Sequence, residues 1–151
     1  MIVMSGQIEV VTEIDRPIEE VFAFLAEGTN DPQFSPRVQR IDKDPAGATT
    51  VGTMFRSTAK DAGMTSQREI RITALEAPFK IRWTELSKNT VTTTEGGYDL
   101  QLTGDGKTRM RLFNVLEGHG FGKLLVGLAV SASRKDAPAF GRRIKNAIET
   151  S

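Results

Sequence analysis

Four side chains in this 151-residue chain have the type and placement to do chemistry: Arg68, Glu85, Tyr98 and His119. Arg68 shares strand parity with Ile70 and Ile72, which turns it toward an apolar face. An arginine there needs a partner, because burying an unpaired charge is costly. Glu85 lies diagonally across a hairpin from it, on the face that carries Trp83. Either the two form a pair that orients a polar ligand group, with Glu85 as general acid or base, or both are solvated at the open end of a sheet. Tyr98 falls on the same face as Leu100 and Leu102; its hydroxyl either orients a ligand carbonyl or satisfies a core contact. His119 is the only histidine, and histidine is the usual base near neutral pH. No carboxylate adjoins it in sequence, and Gly118 and Gly120 read more simply as a strand-to-helix corner. Thr92, Thr94, Asn114 and Ser131 are further polar points, although threonine is also an ordinary strand residue.

Several chemistries are missing. With no cysteine and one histidine, disulfides, thiolate metal sites and a cysteine nucleophile are excluded, and no carboxylate cluster has metal-ligand spacing. Gly118-His-Gly-Phe-Gly is not a phosphate-cradling loop, and no serine has a nucleophile-elbow context. The expectation is no metal and no cofactor, with the catalytic role, if there is one, unassigned among those four residues.

The elements that position these residues are legible in the pattern. Gln7 to Asp15 alternates, with Ile8, Val10, Thr12 and Ile14 on one face. Asp15-Arg16-Pro17 followed by Glu19 and Glu20 predicts a helix start, with Val21, Phe22 and Leu25 as its buried stripe. Gly28-Thr-Asn-Asp-Pro breaks that helix, and a second short helical turn is expected from Pro32 to Pro36. Strands follow over 38–43, 53–60, 65–75, 79–86, 91–102 and 107–116. A loop of Ala77 and Pro78 sets Ile72 opposite Trp83 and Ile70 opposite Glu85; a turn at Gly104-Asp105-Gly106 sets Leu100 opposite Met110 and Tyr98 opposite Leu112. Both hairpins then gather apolar residues on one face and Glu69, Arg71, Lys80, Arg82, Arg109 and Arg111 on the other. For strand 53–60 parity does not say whether Met54, Arg56 and Thr58 or Phe55, Ser57 and Ala59 point inward. From Phe121 to about Ile148 one long helix carries Phe121, Leu124, Leu125, Leu128, Ala132, Phe140, Ile144, Ala147 and Ile148 at helical spacing, with a kink expected before Pro138.

A long helix after an antiparallel meander lies economically across the concave face of the curved sheet. What the two leave unfilled is a cavity. The residues expected to line it are Arg68, Ile70, Trp83, Glu85, Tyr98, Leu100, Met110, Leu112, Phe121, Leu124, Leu125 and Leu128, with Phe55, Met54 and Met64 as further lining positions.

Composition bounds the rest. The length suits one domain spanning 1–151. Twenty lysines and arginines balance nineteen acids, for a net charge of +1, which argues against nucleic acid as the main partner. The opening Met1-Ile-Val-Met-Ser-Gly lacks a signal peptide's basic and apolar regions, and no run approaches the roughly 20 apolar residues that span a bilayer. A cytoplasmic protein with no stable membrane insertion is expected, as a monomer or a homodimer. Val91 to Glu95 is the edge-strand choice for pairing across a twofold axis.

Specific motifs add a likeness. Ile14-Asp-Arg-Pro-Ile-Glu-Glu-Val-Phe-Ala-Phe-Leu, Val51-Gly-Thr-Met-Phe, Ile72-Thr-Ala-Leu-Glu-Ala-Pro-Phe-Lys-Ile-Arg-Trp and Gly106-Lys-Thr-Arg-Met occur in this order over nearly the whole chain. Together they resemble the START/Bet v 1-like (SRPBCC) superfamily, in particular its polyketide cyclase/dehydrase and lipid-transport-like branch. That family's usual tryptophan pair after the first helix is absent, and Phe34 stands in that region. The resemblance implies an α+β helix-grip fold: a curved antiparallel sheet of six to seven strands around a long C-terminal helix, with two short helices after strand 1 and a mostly apolar cavity. It does not decide activity, since the superfamily includes cyclases, hydrolases, lipid carriers, hormone receptors and members that only bind. Binding of a small hydrophobic or amphipathic molecule, lipid-like or polyketide-like, is the leading expectation. The alternatives are a cyclase/dehydrase using a pocket acid or base, and a non-catalytic interaction module with a collapsed cavity.

Overall fold

The computed structural model describes residues 5–61 and 63–151. Residues 1–4, on which the reading of the opening segment rests, and Ala62, in the turn expected after Asp61, lie outside them. Strand β1 (Ser5–Ile14) leads into helix α1 (Ile18–Ala26) and a 3-10 helix (Gly28–Gln33). Strands β2 (Val38–Asp44), β3 (Met54–Asp61), β4 (Met64–Glu76), β5 (Lys80–Glu85), β6 (Val91–Leu102) and β7 (Thr108–Gly118) follow, and helix α2 (Gly122–Glu149) closes the chain. The seven strands form one antiparallel sheet in the order β1-β7-β6-β5-β4-β3-β2. The edges are therefore β1 and β2. Val91 to Glu95 belongs to β6, which lies between β7 and β5 in the order, but this stretch pairs only with β7, since β5 joins β6 at Gly96 to Asp99.

The hairpin registers are those the alternation demands: Ile72 faces Trp83, Ile70 faces Glu85, Leu100 faces Met110 and Tyr98 faces Leu112. In the first hairpin the route differs. The loop is one residue longer than expected, since Glu76 pairs with Lys80, and a bulge between Ile72 and Ala74 takes up the extra residue. That bulge also returns Leu75 to the inner face against Ile81, where it joins the core. On β3, Phe55 and Ser57 are buried while Arg56 is exposed, which settles the face that parity leaves open.

Pro17 takes the N-cap of α1, immediately before its first helical residue, and no side chain caps that end. Ile18 and Phe24 join the expected Val21, Phe22 and Leu25 in the core. The second short helix begins at Gly28, ahead of the expected Pro32–Pro36 turn. There the Phe34 and Ser35 amides donate to the Asp31 carbonyl.

Helix α2 runs as one element through Pro138, but its buried stripe is not the expected one. Gly122, Val126, Val130, Gly141, Ile144, Ala147 and Ile148 face the sheet. Phe121, Leu124, Leu125 and Leu128 are 81%, 73%, 45% and 70% exposed, and Ala132 is exposed too. Glycine contacts set this rotation. A Cβ on Gly122 would overlap the Thr90 carbonyl, and one on Gly141 would come within 3.3 Å of Val10. Only a helix turned to present these glycines can lie so close to β1 and the 86–90 loop.

The core divides in two. The main cluster joins Ile14, Ile18, Val21, Leu100, Met110, Ile144 and Ile148, with an aromatic flank of Phe24, Phe34 and Phe55. Under the first half of α2, Leu116, Val126 and Val130 form a smaller cluster with Ile8 and Val91 at its margin.

Candidate functional site

The inner face of the sheet is packed at one end and open at the other. Tyr98, Leu100, Met110 and Leu112 are buried in its floor. Further along, Arg68, Ile70, Trp83 and Asn114 occupy inner-face positions near mid-sheet yet stay partly exposed. A close approach at Gly96 organises this region. The Trp83 indole crosses that glycine and donates from Nε1 to Asn114 Oδ1 at 3.2 Å, and the Tyr98 ring meets Trp83 edge-on at 5.2 Å. A Cβ at residue 96 would overlap both partners of the indole bond. Gly96→Ala is therefore expected to cost about 1–3 kcal/mol and to change the emission of Trp83, the only tryptophan, in urea titrations followed by fluorescence. Unchanged stability and emission would mean that the indole does not lie over residue 96.

Arg68 and Glu85 are brought together, at 2.9 Å from Nη1 to Oε1. The Glu85 side chain is wholly buried, with 0% exposure. Its Oε1 also accepts the Thr93 amide at 2.9 Å; its Oε2 accepts the Ser87 hydroxyl at 2.6 Å and the Asn89 amide at 2.8 Å. A carboxylate so fully engaged clamps the 86–90 loop to β4 and β6. Arg68 commits one N–H to this pair, and its other donors meet no partner among the described residues.

His119 is half exposed and away from this face, with Nε2 2.8 Å from Thr92 Oγ1 and Nδ1 3.9 Å from Glu117. Of the other polar points, Thr94 donates to the Val115 carbonyl, and exposed Ser131 borders a 540 Å³ groove between α2 and the β1 edge, lined by Gly6, Val126, Val130, Arg134 and Lys135. A second groove, of 580 Å³, lies on the convex face beside Phe79, Asp99 and Arg111. Neither reaches Trp83 or Tyr98. Among the lining positions, Phe55 is buried inward, Met54 points the other way, and Met64 is exposed at the tip of the β3–β4 hairpin.

One polar residue at the site has no counterpart in the sequence reading. Asp31, in the 3-10 helix, keeps part of its surface accessible, but burial lifts its carboxyl to about 7. Burial first, and the Asp31 charge second, push the Tyr98 hydroxyl well above the usual phenol range. Neither the Asp31 carboxylate nor the Tyr98 hydroxyl has a hydrogen-bond partner among the described residues. Neither is sealed, since the only fully shielded, unpartnered side-chain polar atom found there is the Thr49 hydroxyl. In sequence, Asn30-Asp31-Pro32 looks like any solvated turn, and no signal distinguishes it. No group of three or more potential metal ligands occurs among the described residues, and none of their helices is long and apolar enough to cross a membrane.

A seven-stranded antiparallel sheet gripping a long C-terminal helix is the helix-grip fold of the START/Bet v 1 superfamily. Within it, the chain belongs to the family described as Polyketide cyclase / dehydrase and lipid transport, whose profile matches residues 5–149. The structure is similar to TTHA0849 from Thermus thermophilus, with TM-score 0.78 and 15% identity over 96% of this chain and 98% of that one. It is also similar to a START superfamily protein from Mycobacterium smegmatis, with TM-score 0.75 and 12% identity over 95% and 97%. For the Zhui aromatase/cyclase of Streptomyces sp. R1128 the TM-score is 0.69, with 17% identity over 95% and 91%. No curated protein matches the chain in sequence.

Proposed function

We propose that the open end of the grip binds one small amphipathic molecule. Its apolar body would rest on Ile70 and Trp83, and its polar group would meet the Tyr98 hydroxyl and the Asp31 carboxyl, with the spare Arg68 donors at the mouth. The observation that carries this reading is the pair of unpartnered, unsealed polar groups, Tyr98 and Asp31, beside an apolar surface. Solvent reaches both groups, and a ligand oxygen or nitrogen that displaced this water would satisfy them while its apolar part covered the surface beside them. Desolvation of the ligand's apolar surface would supply the affinity, at about 25 cal/mol per Å² before ordering costs.

Trp83 reports on the site directly. Titration with myristate, a sterol and a polyhydroxylated anthraquinone should give a saturable emission change with at least one of them. Tyr98→Phe should weaken that binding roughly tenfold, the worth of one hydrogen bond of about 1.4 kcal/mol. No saturable change with any of the three, or equal affinity in Tyr98→Phe, would remove the proposal.

A second reading follows from the Asp31 carboxyl near 7. A group that titrates near neutral pH can take and return a proton, as a cyclase or dehydrase requires. Turnover of a polyketone that is lost in Asp31→Asn, with affinity retained, would favour the enzyme over the carrier.

A further inference from the structure

The charge of the chain is not spread evenly. From Gly118 to the last residue lie six cations and two acids, Asp136 and Glu149; elsewhere fourteen cations face seventeen acids. Helix α2 is thus a cationic rod on an acidic body. Asp136 is held by Arg143 at 2.8 Å, and Lys145 lies between Asp15 and Glu149. Lys123, Arg134, Lys135 and Arg142 are exposed and have no ion-pair partner among the described residues.

The exposed apolar residues sit among these cations. Leu124 and Leu128 share one helical line with Lys135 and Arg142, at spacings of four, eleven and eighteen residues from Leu124. Phe121 and Leu125 flank the leucines. Single exposed apolar side chains are ordinary, but four large ones within two turns are not.

We propose that the exposed face of α2, from Phe121 to Arg142, docks on an anionic lipid surface. Phe121, Leu124 and Leu128 would enter the boundary between headgroups and acyl chains, and Lys123, Arg134, Lys135 and Arg142 would meet the headgroup charges. A second copy of this chain fits less well, because an isologous contact would set two cationic helices against each other. Nucleic acid would satisfy the cations but leave the leucines against phosphate. The inference goes beyond the ligand-binding reading and does not require it.

Co-sedimentation of the full chain with vesicles tests it. Vesicles of equal parts phosphatidylglycerol and phosphatidylcholine should bind at least about tenfold better than pure phosphatidylcholine, and added salt should weaken the binding. The double variant Leu124→Asp with Leu128→Asp should lose about tenfold or more while keeping its far-ultraviolet circular dichroism. The milder Lys135→Glu should lower affinity and flatten the salt dependence without touching an apolar contact. Equal binding to both vesicle types, or none, overturns the proposal. So does a dimer in sedimentation velocity that Leu124→Asp dissolves, or duplex DNA bound more tightly than the anionic vesicles. The Trp83 titration reads the grip separately, so failure on vesicles and failure of ligand binding are distinguishable.

Discussion

Asp31→Asn is expected to stabilise the protein at pH 8 by about 2–4 kcal/mol and to leave it unchanged near pH 4. The unfolded chain ionises this carboxyl near 3.8, the native chain only at about 7. Between those values the native state holds a proton that the unfolded state has lost. Stability therefore falls as pH climbs through that window and levels off above it. Each pKa unit is worth about 1.36 kcal/mol, and the lower end of the range allows for the part of Asp31 that stays accessible. Asparagine has the same shape and no charge to desolvate, so it removes the slope. Urea unfolding of both proteins at pH 4, 6 and 8 measures the difference, from which all other titrating groups cancel. A constant difference across the three would mean that Asp31 is solvated in the native state.

Glu85→Ala is expected to cost about 3–5 kcal/mol, the penalty for dismantling a buried, fully bonded ion pair. Arg68→Ala should cost less, because the carboxylate keeps the Ser87 and Asn89 side chains and the Thr93 amide. The damage should also travel. The 86–90 loop presents the Thr90 carbonyl, which accepts the His119 amide at 2.7 Å and abuts Gly122 at the start of α2. Chemical denaturation supplies the magnitudes, and amide exchange at residues 119–126 shows whether the helix start loosens. A loss under about 1 kcal/mol in Glu85→Ala would end the clamp. A variant that stays stable but no longer binds ligand would return Glu85 to the set of contact residues.

The sheet is legible because one face is apolar and the strand period is two, so any slip would expose the set around Ile72, Tyr98, Leu100 and Met110. The loop after Glu76 is one residue longer than the alternation implies, and the register survives because the bulge past Ile72 takes up the difference. The rotation of α2 is not legible. The chain offers two apolar stripes there, and the one with the larger side chains, Phe121 through Leu128, is the more hydrophobic. Packing selects the other, because Gly122 sits where no Cβ fits and Gly141 where one would crowd Val10, and steric exclusion by the Thr90 carbonyl leaves no trace in a hydrophobic pattern. Of the site, the Arg68–Glu85 pair is visible from parity, but the saturation of Glu85 depends on a loop closing over it. Asp31 is invisible because an acid beside proline in a polar stretch is normally solvated.

The two ends of α2 are held very differently. At the far end the Asp15 amide donates to the Glu149 carboxylate at 2.9 Å, the Arg16 guanidinium to the Glu149 carbonyl, and the Thr108 hydroxyl to the Arg16 carbonyl at 2.8 Å, above Ile144 and Ile148 in the main cluster. The near end rests on Val126 and Val130 over Leu116, and its first residues on the Thr90 carbonyl, which takes the His119 amide and abuts Gly122. Mechanically the helix is a cantilever, bolted at its C-terminus and lightly sprung at its tip. Lifting that tip would leave the bolt in place, so the helix start can loosen while the rest of the domain stays folded.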